Sequence, residues 1–190
     1  LLMHAGDFGQ GTSYFSEMNG DIEIDVMNSL GFDVVCLGNH EFDNGTKELA
    51  RRLKNLKAKV VCANYDFEDS PLEDVVHPYV IIKKAGMKIG VIGLLTDIRR
   101  VVHKKIAAEF SYIEPADVVN RYAEYLKNEK GCDLVMCLSH LGYEEDKEVA
   151  ALIRNVDVIV GGHTHTLLHK KQEVKDLDGK PVVIVQNWKW

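Results

Sequence analysis

Two histidines, His163 and His165, follow an apolar run at residues 156–160 and are separated from each other by one residue. Imidazole nitrogens bind metal ions and also carry protons near neutral pH. Three other apolar runs end in polar residues of a similar kind: Asp7 after residues 1–5, Asn39 and His40 after residues 34–37, and His140 after residues 134–139. Ligands bind at the carboxyl ends of the strands in an open α/β sheet. The sequence therefore predicts a metal-binding site at that edge, with the chemistry of a metal-dependent hydrolase.

The elements that must position these residues can be predicted from the spacing of apolar residues. Short apolar runs alternate with helical patterns, which predicts an α/β fold with a further strand at residues 59–63. Two pairs of runs, 79–82 with 89–94 and 173–175 with 182–185, flank turn residues and predict hairpins, hence mixed sheets. Residues 186–190 resemble another strand. Four helices are predicted with these inward-facing residues: Ile22, Val26 and Leu30; Leu49, Leu53 and Leu56; Val118, Tyr122 and Leu126, between Pro115 and Gly131; and Val149, Leu152 and Ile153, within residues 144–155.

Length and composition predict a single domain over residues 1–190, because 46% of the residues are hydrophobic and 27% are charged. The net charge of −6 argues against a nucleic-acid partner, but bound cations would still attract a small phosphorylated substrate. Cys36, Cys62 and Cys137 lie in apolar runs and are expected to be buried core residues that require no disulfide. Residues 1–190 are expected to hold neither a transmembrane segment nor a signal peptide. Both ends fall within strand-like runs, so the chain is expected to be part of a longer protein.

The glycine-rich segment at residues 6–12 has two interpretations. It lacks the lysine and the spacing of a nucleotide-binding P-loop, so its glycines form either an ordinary turn or a close passage around a metal-bridging Asp7. Asn39 offers a neutral carbonyl oxygen to a cation. Asp43 is placed to hold one ring nitrogen of His40, either as a catalytic pair or as a hydrogen bond at the start of a helix. His163 and His165 alternate in direction if the chain is extended there, which predicts that they serve different metals.

The order of these motifs resembles that of the calcineurin-like metallophosphoesterases. The family's pattern is matched by four motifs in the same order. They are Gly-Asp followed by Gly11, Gly-Asn-His-Glu at residues 38–41, the lone His140, and Gly-Gly-His-Thr-His at residues 161–165. The segments at residues 6–11 and 38–43 are closer still to the 5′-nucleotidase branch. The resemblance implies a four-layer α-β-β-α sandwich with mixed sheets and two metal ions in the loops at the strand ends.

The same resemblance implies a role for each motif residue. Asp7 would bridge both metals, and His165 would bind the second one. The first metal would be completed by three residues: Asn39, His140 and His163. The acid–base residue beside the metals would be His40, oriented by Asp43. The two divalent ions (Zn, Mn, Fe or Co) would clamp the reacting oxygens in an in-line attack by metal-activated water. The expected substrate is a phosphomonoester, most specifically a 5′-nucleotide.

Two departures from the family pattern accompany this resemblance. The family's first strand carries an Asp-x-His pair that supplies the second metal, and residues 1–190 contain no counterpart, so that site would keep only Asp7 and His165. The nucleoside-binding C-terminal domain of the nucleotidase branch is also absent and would lie in cis or in trans. A nucleotide-sugar or dinucleotide pyrophosphatase, a nuclease and an inactive binding or assembly domain are the alternatives. Export to the periplasm or outside the cell is implied by the resemblance alone.

Overall fold

Two β-sheets that face each other form the centre of the computed structural model, which describes residues 1–188. The strands are β1 Met3–His4, β2 Val34–Cys36, β3 Lys59–Val61, β4 Tyr65–Asp66, β5 Val76–His77, β6 Tyr79–Lys84, β7 Met87–Leu95, β8 Ser111–Tyr112, β9 Leu134–His140, β10 Val158–Val160, β11 Gln172–Lys175 and β12 Pro181–Val185. The first sheet has the strand order β1-β2-β3-β5, and its strands are parallel. The second has the order β11-β12-β10-β9-β7-β6, and a short ribbon pairs β4 with β8.

Helices lie in five of the eleven connections between successive strands, and several helix ends follow from local sequence. Thr12 accepts a hydrogen bond from the Phe15 N–H and so caps the first helix. Gly31 ends the second with a φ of 73°, and Pro115 opens the fifth at a position where its missing N–H costs nothing. The helices are α1 Ser13–Met18, α2 Asp21–Leu30, α3 Thr46–Leu53, α4 Lys104–Ala107, α5 Pro115–Asn128 and α6 Tyr143–Ala151, with 3-10 turns at His40–Phe42 and Ile98–Arg100.

Three apolar cores separate four layers, which confirms the expected α-β-β-α sandwich. Alternate strand residues point to opposite faces of a sheet. Val35 and Leu37 accordingly pack with helical residues such as Leu49, while Val34 and Cys36 face the second sheet. In the second sheet Met136 and Leu138 face the first, whereas Val135 and Cys137 pack against α5 and α6. Each sheet is thus covered on one face by helices and on the other face by the other sheet.

The second sheet is mixed, as expected. Strands β7, β9, β10 and β12 run parallel, while β6 and β11 pair antiparallel at the two edges and form the predicted hairpins. The two sheets approach closely at Gly93, where a Cβ would overlap the Val61 backbone. Nearby, the buried Asn64 side chain donates to the Leu95 carbonyl at 2.7 Å and accepts from the Leu95 N–H at 2.9 Å. These contacts bring the carboxyl ends of both sheets to one side of the molecule.

The predicted burial is wrong for some of the helical residues. Val26 and Leu30 are exposed, and α2 instead buries Ile24 and Met27. Val26 and Leu30 lie on one apolar row of this helix, and Ile24 and Met27 lie on an adjacent one. Which row is buried depends on the side of the helix that packs against the sheet. Leu152 is also exposed, because α6 ends at Ala151 and the chain turns there. The predicted burial of Cys36, Cys62 and Cys137 is confirmed.

The predicted strand at residues 186–190 is not formed over its described part. Residues 186–188 contain a single bridge, between Asn187 and Leu167, while residues 189 and 190 lie outside the described part. Among residues 1–188, no helix is both long enough and apolar enough to cross a bilayer.

Candidate metal centre

Asp7, His140 and His163 converge at the carboxyl ends of the two sheets. They lie just after β1, at the end of β9 and just after β10, and their ligand atoms lie within 4.8 Å of one another. His140 Nε2 is 2.9 Å from Asp7 Oδ2, and the His140 and His163 ring centroids are 5.0 Å apart. Within residues 1–188 this is the one cluster of three such side chains with the spacing of a metal site.

The orientation of His140 is set by the backbone of the first strand segment. Its Nδ1 lies 2.5 Å from the Ala5 carbonyl oxygen, which can only accept, so Nδ1 carries the proton. Nε2 is therefore the nitrogen directed at Asp7. A histidine held in this way through its second nitrogen is typical of metal ligands.

Two of the three clustered residues adopt left-handed backbone conformations. Asp7 has a φ of 60° and His163 a φ of 69°, and His165 shares this feature with a φ of 52°. Such angles are uncommon for residues with a Cβ and cost on the order of 1–3 kcal/mol each. They turn the chain sharply at the point where each strand ends. The surrounding contacts must supply the stabilisation that keeps these turns in place.

Glycines allow the site loops to touch. A Cβ on Gly38 would overlap both the backbone nitrogen and the carboxylate of Asp7, and one on Gly6 would lie 2.7 Å from His140 Nδ1. Gly162 is similar, since its Cβ would lie 2.7 Å from the Ala5 carbonyl oxygen. Both interpretations of the glycine-rich segment apply at Gly6, which has a φ of 88° and whose Cβ would meet Gly38 and His140. The close approach to Asp7 itself is made by Gly38.

A buried carboxylate, Glu41, ties the first two loops together. It is completely inaccessible to solvent and accepts three backbone hydrogen bonds, from Asp7 at 2.8 Å, Gly9 at 3.1 Å and Gly38 at 2.6 Å. Burial raises the pKa of Glu41, and the charge of Asp7 adds to this. All three partners are donors, however, so the ionised form satisfies them, whereas a protonated oxygen would oppose one of them.

Arg52 supports Glu41 from the opposite side. Its guanidinium donates to the Glu41 carbonyl at 2.7 Å and lies over the Phe15 ring at 5.3 Å. Only 1% of Arg52 is exposed, and its charge partly balances that of Glu41. A Cβ on Gly20 would lie 2.6 Å from this guanidinium, so Gly20 leaves the space that Arg52 occupies.

His40 and Asp43 form the pair that their spacing suggested. Asp43 Oδ2 lies 2.8 Å from His40 Nδ1, at the start of a 3-10 turn. The His40 N–H donates to Asp7 Oδ1 at 2.9 Å, so this histidine is attached directly to the cluster. Its side chain is 40% exposed, which leaves it accessible to a substrate. Asn39 is 5% exposed, and its Oδ1 has no hydrogen-bond partner among residues 1–188.

His165 lies outside the three-residue cluster. It is exposed two residues beyond His163, and Thr164 between them is fixed by the Tyr143 N–H, which donates to its hydroxyl at 3.1 Å. The structure thus brings together Asp7, His140 and His163, with the His40 backbone joined to Asp7. His165 remains a predicted ligand of a second ion.

The electrostatics of the cluster favour a bound cation. Burial lowers the pKa of His140, but the Asp7 carboxylate outweighs burial and raises it overall. Burial alone would raise the pKa of Asp7, yet its contact with His140 lowers it. The pKa of His163 is lowered by burial and by the neighbouring His140, which keeps its imidazole neutral and able to bind a metal. In the metal-free chain the contact with Asp7 therefore favours the protonated form of His140.

The donor set fits a divalent transition metal. Imidazole, carboxylate and amide oxygen are the ligands that Zn, Mn, Fe and Co accept. The unpartnered, buried Asn39 Oδ1 is the atom that such an ion would satisfy, since a buried amide oxygen without a partner is unfavourable.

Comparison with known proteins places the chain in a family. Residues 1–167 match the calcineurin-like phosphoesterase family, and the chain belongs to it. It is similar to a protein named as a probable 5′-nucleotidase from Treponema pallidum, with 34% identity over 205 residues. That match covers 100% of the chain and 34% of the relative, so the chain spans about a third of that protein's length.

Two solved structures share the fold over nearly the whole chain. The 5′-nucleotidase precursor from Thermus thermophilus superposes with a TM-score of 0.93 at 36% identity, covering 100% of this chain and 40% of that one. The NAD nucleotidase of Haemophilus influenzae superposes with a TM-score of 0.87 at 32% identity, covering 99% and 40%. The predicted fold and family resemblance are therefore confirmed.

The sequence did not reveal two buried carboxylates, Glu41 and Asp146, that contact the loops of the candidate metal ligands. Glu41 belongs to the motif at residues 38–41, but its role depends on N–H groups from two loops. The local sequence around Glu41 gives no signal that its carboxylate is buried. Asp146 lies in α6 among charged residues, and the pattern gave no indication that it is buried.

Proposed function

We propose that the chain is the metal-binding catalytic domain of an enzyme that hydrolyses phosphomonoesters, with 5′-nucleotides as substrates. The observation that carries this proposal is the convergence of Asp7, His140 and His163 beside the His40–Asp43 pair. The similarity to proteins named 5′-nucleotidases supports the choice of substrate class.

Asp7, Asn39, His140 and His163 would hold one divalent ion, and Asp7 with His165 would contribute to the second. When bound, the two ions polarise the phosphoryl oxygens and lower the pKa of water so that hydroxide is available at neutral pH. Glu41 keeps Asp7 in place through the backbone of its loop.

His40 acts as the general acid. Asp43 holds the Nδ1 proton, which leaves Nε2 to deliver a proton to the leaving oxygen of the nucleoside. The hydrogen bond from the His40 backbone to Asp7 keeps the imidazole close to the phosphoryl group. Asp43 sets the orientation of the ring through its contact with Nδ1.

The test is phosphate release from AMP by the Mn²⁺-loaded protein and by two variants. His40→Asn should lower turnover by roughly 100-fold or more, which is a typical general acid–base contribution. Asp43→Asn should lower it less, since the imidazole remains. Far-UV circular dichroism establishes that each variant is folded. Near-normal turnover in a folded His40→Asn variant would refute the assigned role.

Metal content tests the two-ion assignment separately. Two ions per chain after loading and desalting would support the paired site, and one ion would restrict it to the Asp7, Asn39, His140 and His163 set. No bound ion would favour an inactive binding domain.

Hydrolysis of a dinucleotide is the second candidate activity, because one of the similar structures is an NAD nucleotidase. NAD should therefore be assayed beside AMP with the same His40→Asn control. Release of AMP from NAD without phosphate release from AMP would make the pyrophosphatase the correct function.

A further inference from the structure

A buried carboxylate lies behind the two histidines of the metal centre. Asp146, in α6, is completely shielded from solvent, although it sits among exposed charged residues of that helix. Its Oδ1 accepts a hydrogen bond from the Ser139 hydroxyl at 2.5 Å. Its Oδ2 is also buried and has no hydrogen-bond partner in the described part of the chain. Burying an acid in this way is unfavourable, so the position requires an explanation.

On one side Asp146 acts on the end of β9. The Ser139 hydroxyl that it holds also accepts the Leu141 N–H at 3.2 Å, so this side chain closes the backbone around His140. The direction of the His140 ring is sensitive to this turn, because its two nitrogens must reach the Ala5 carbonyl and Asp7 together.

On the other side Asp146 meets the loop that carries His163. A Cβ on Gly161 would overlap Asp146 Oδ2, while the next nearest atoms, Asp146 Cγ and Gln186 Oε1, would lie at an ordinary 3.6 Å. Gly161 is not among the glycines with positive φ, so a side chain there would be opposed by the carboxylate rather than by the backbone. The carboxylate thus lies against the backbone two residues before His163.

We infer that Asp146 is a positioning residue that joins the end of β9 to the loop after β10, so that His140 and His163 face Asp7 together. This inference rests on the metal site proposed above. Within residues 1–188 the hydrogen bond of the Asp146 side chain goes to Ser139 and not to a proposed metal ligand. Asp146 acts through Ser139 and Gly161.

The first test measures Mn²⁺ affinity by titration calorimetry on the metal-free chain. Asp146→Ala should weaken binding by about 10- to 100-fold, the usual effect of removing a group that orients metal ligands. Asp176→Ala is the matched control. Asp176 is also a buried aspartate, but it accepts from Asp178 and Lys180 in the hairpin turn at the opposite end of the second sheet. It should leave the affinity within about twofold of wild type.

Gly161→Ala tests the same contact from the other side and remains informative if Asp146→Ala does not fold. Its methyl group should push the carboxylate and the loop apart and weaken binding about 10-fold. In the double variant Asp146→Ala/Gly161→Ala the methyl group meets no carboxylate, so it should cause no further loss. Independent, multiplying losses would overturn the inference, as would wild-type affinity in either folded single variant.

A metal-free readout separates this inference from the proposed function. In long-range ¹H–¹⁵N spectra, the imidazole signals of His140 and His163 should shift in Asp146→Ala and stay unchanged in Asp176→Ala. If wild type binds no Mn²⁺, the proposed metal site fails, and unshifted imidazole signals would then overturn the positioning role as well. If wild type binds Mn²⁺ and Asp146→Ala binds equally well, only the positioning role fails.

Discussion

Replacing Glu41 by glutamine should destabilise the chain and loosen the metal centre at once. The glutamine oxygen can keep the two N–H groups of Asp7 and Gly38, which share one carboxylate oxygen. Its amide NH₂ must then face the Gly9 N–H, which loses its acceptor. An unsatisfied buried donor costs about 1–3 kcal/mol, and each retained bond loses about 1 kcal/mol on becoming neutral. The smaller desolvation cost of an uncharged side chain offsets part of this loss.

The net expectation for Glu41→Gln is a loss of about 2–4 kcal/mol in the free energy of unfolding. For a chain of this size that corresponds to a decrease in Tm of roughly 4–16 °C. Urea and thermal unfolding of the metal-free protein at pH 8 measure it. Glu124→Gln is the control, because Glu124 is exposed on α5 and should change stability by less than about 0.5 kcal/mol. A Glu41→Gln variant as stable as this control would show that the three hydrogen bonds do not hold the loops together.

Three further predictions concern the same region. Gly38→Ala should reduce Mn²⁺ affinity severely because its Cβ would overlap Asp7, while Gly179→Ala, which faces open space, should leave affinity unchanged in the same calorimetric titration. Burial raises the pKa of Asp146 to about 7. The folded chain therefore keeps a proton there that the unfolded chain loses near pH 4, and the resulting stability is lost as the pH rises through 7. Urea unfolding should accordingly show that the stability of Asp146→Asn relative to wild type rises by about 3 kcal/mol between pH 5 and 8. A stability difference that stays constant with pH would contradict this assignment. Asp7 raises the pKa of His140, and a histidine must give up its proton to bind a metal ion. Mn²⁺ affinity should therefore fall between pH 8 and pH 6. EDTA, which removes the ion, should lower the Tm of the loaded protein.

The sequence alone determined the α/β class and the position of the site, while the four layers were implied by the family resemblance. The apolar runs, the two hairpins and the strand-end polar residues follow from local periodicity, which a chain carries without any tertiary contact. His140 and His163 could be assigned to one sheet edge because parallel strands end on the same side. The pairing of His40 with Asp43 was also predictable, since the two residues lie three positions apart.

Only the tertiary structure decided how the loops are held. The apolar rows of α2 are equivalent in sequence, and the choice of Met27 over Val26 depends on which side the sheet lies. Glu41 and Asp146 acquire their roles from partners 34 and 7 residues away, whose N–H and hydroxyl groups reach them only after the strands pair. From sequence, a carboxylate is expected to be exposed to solvent. It can hold loops together only where the fold buries it and supplies hydrogen-bond donors.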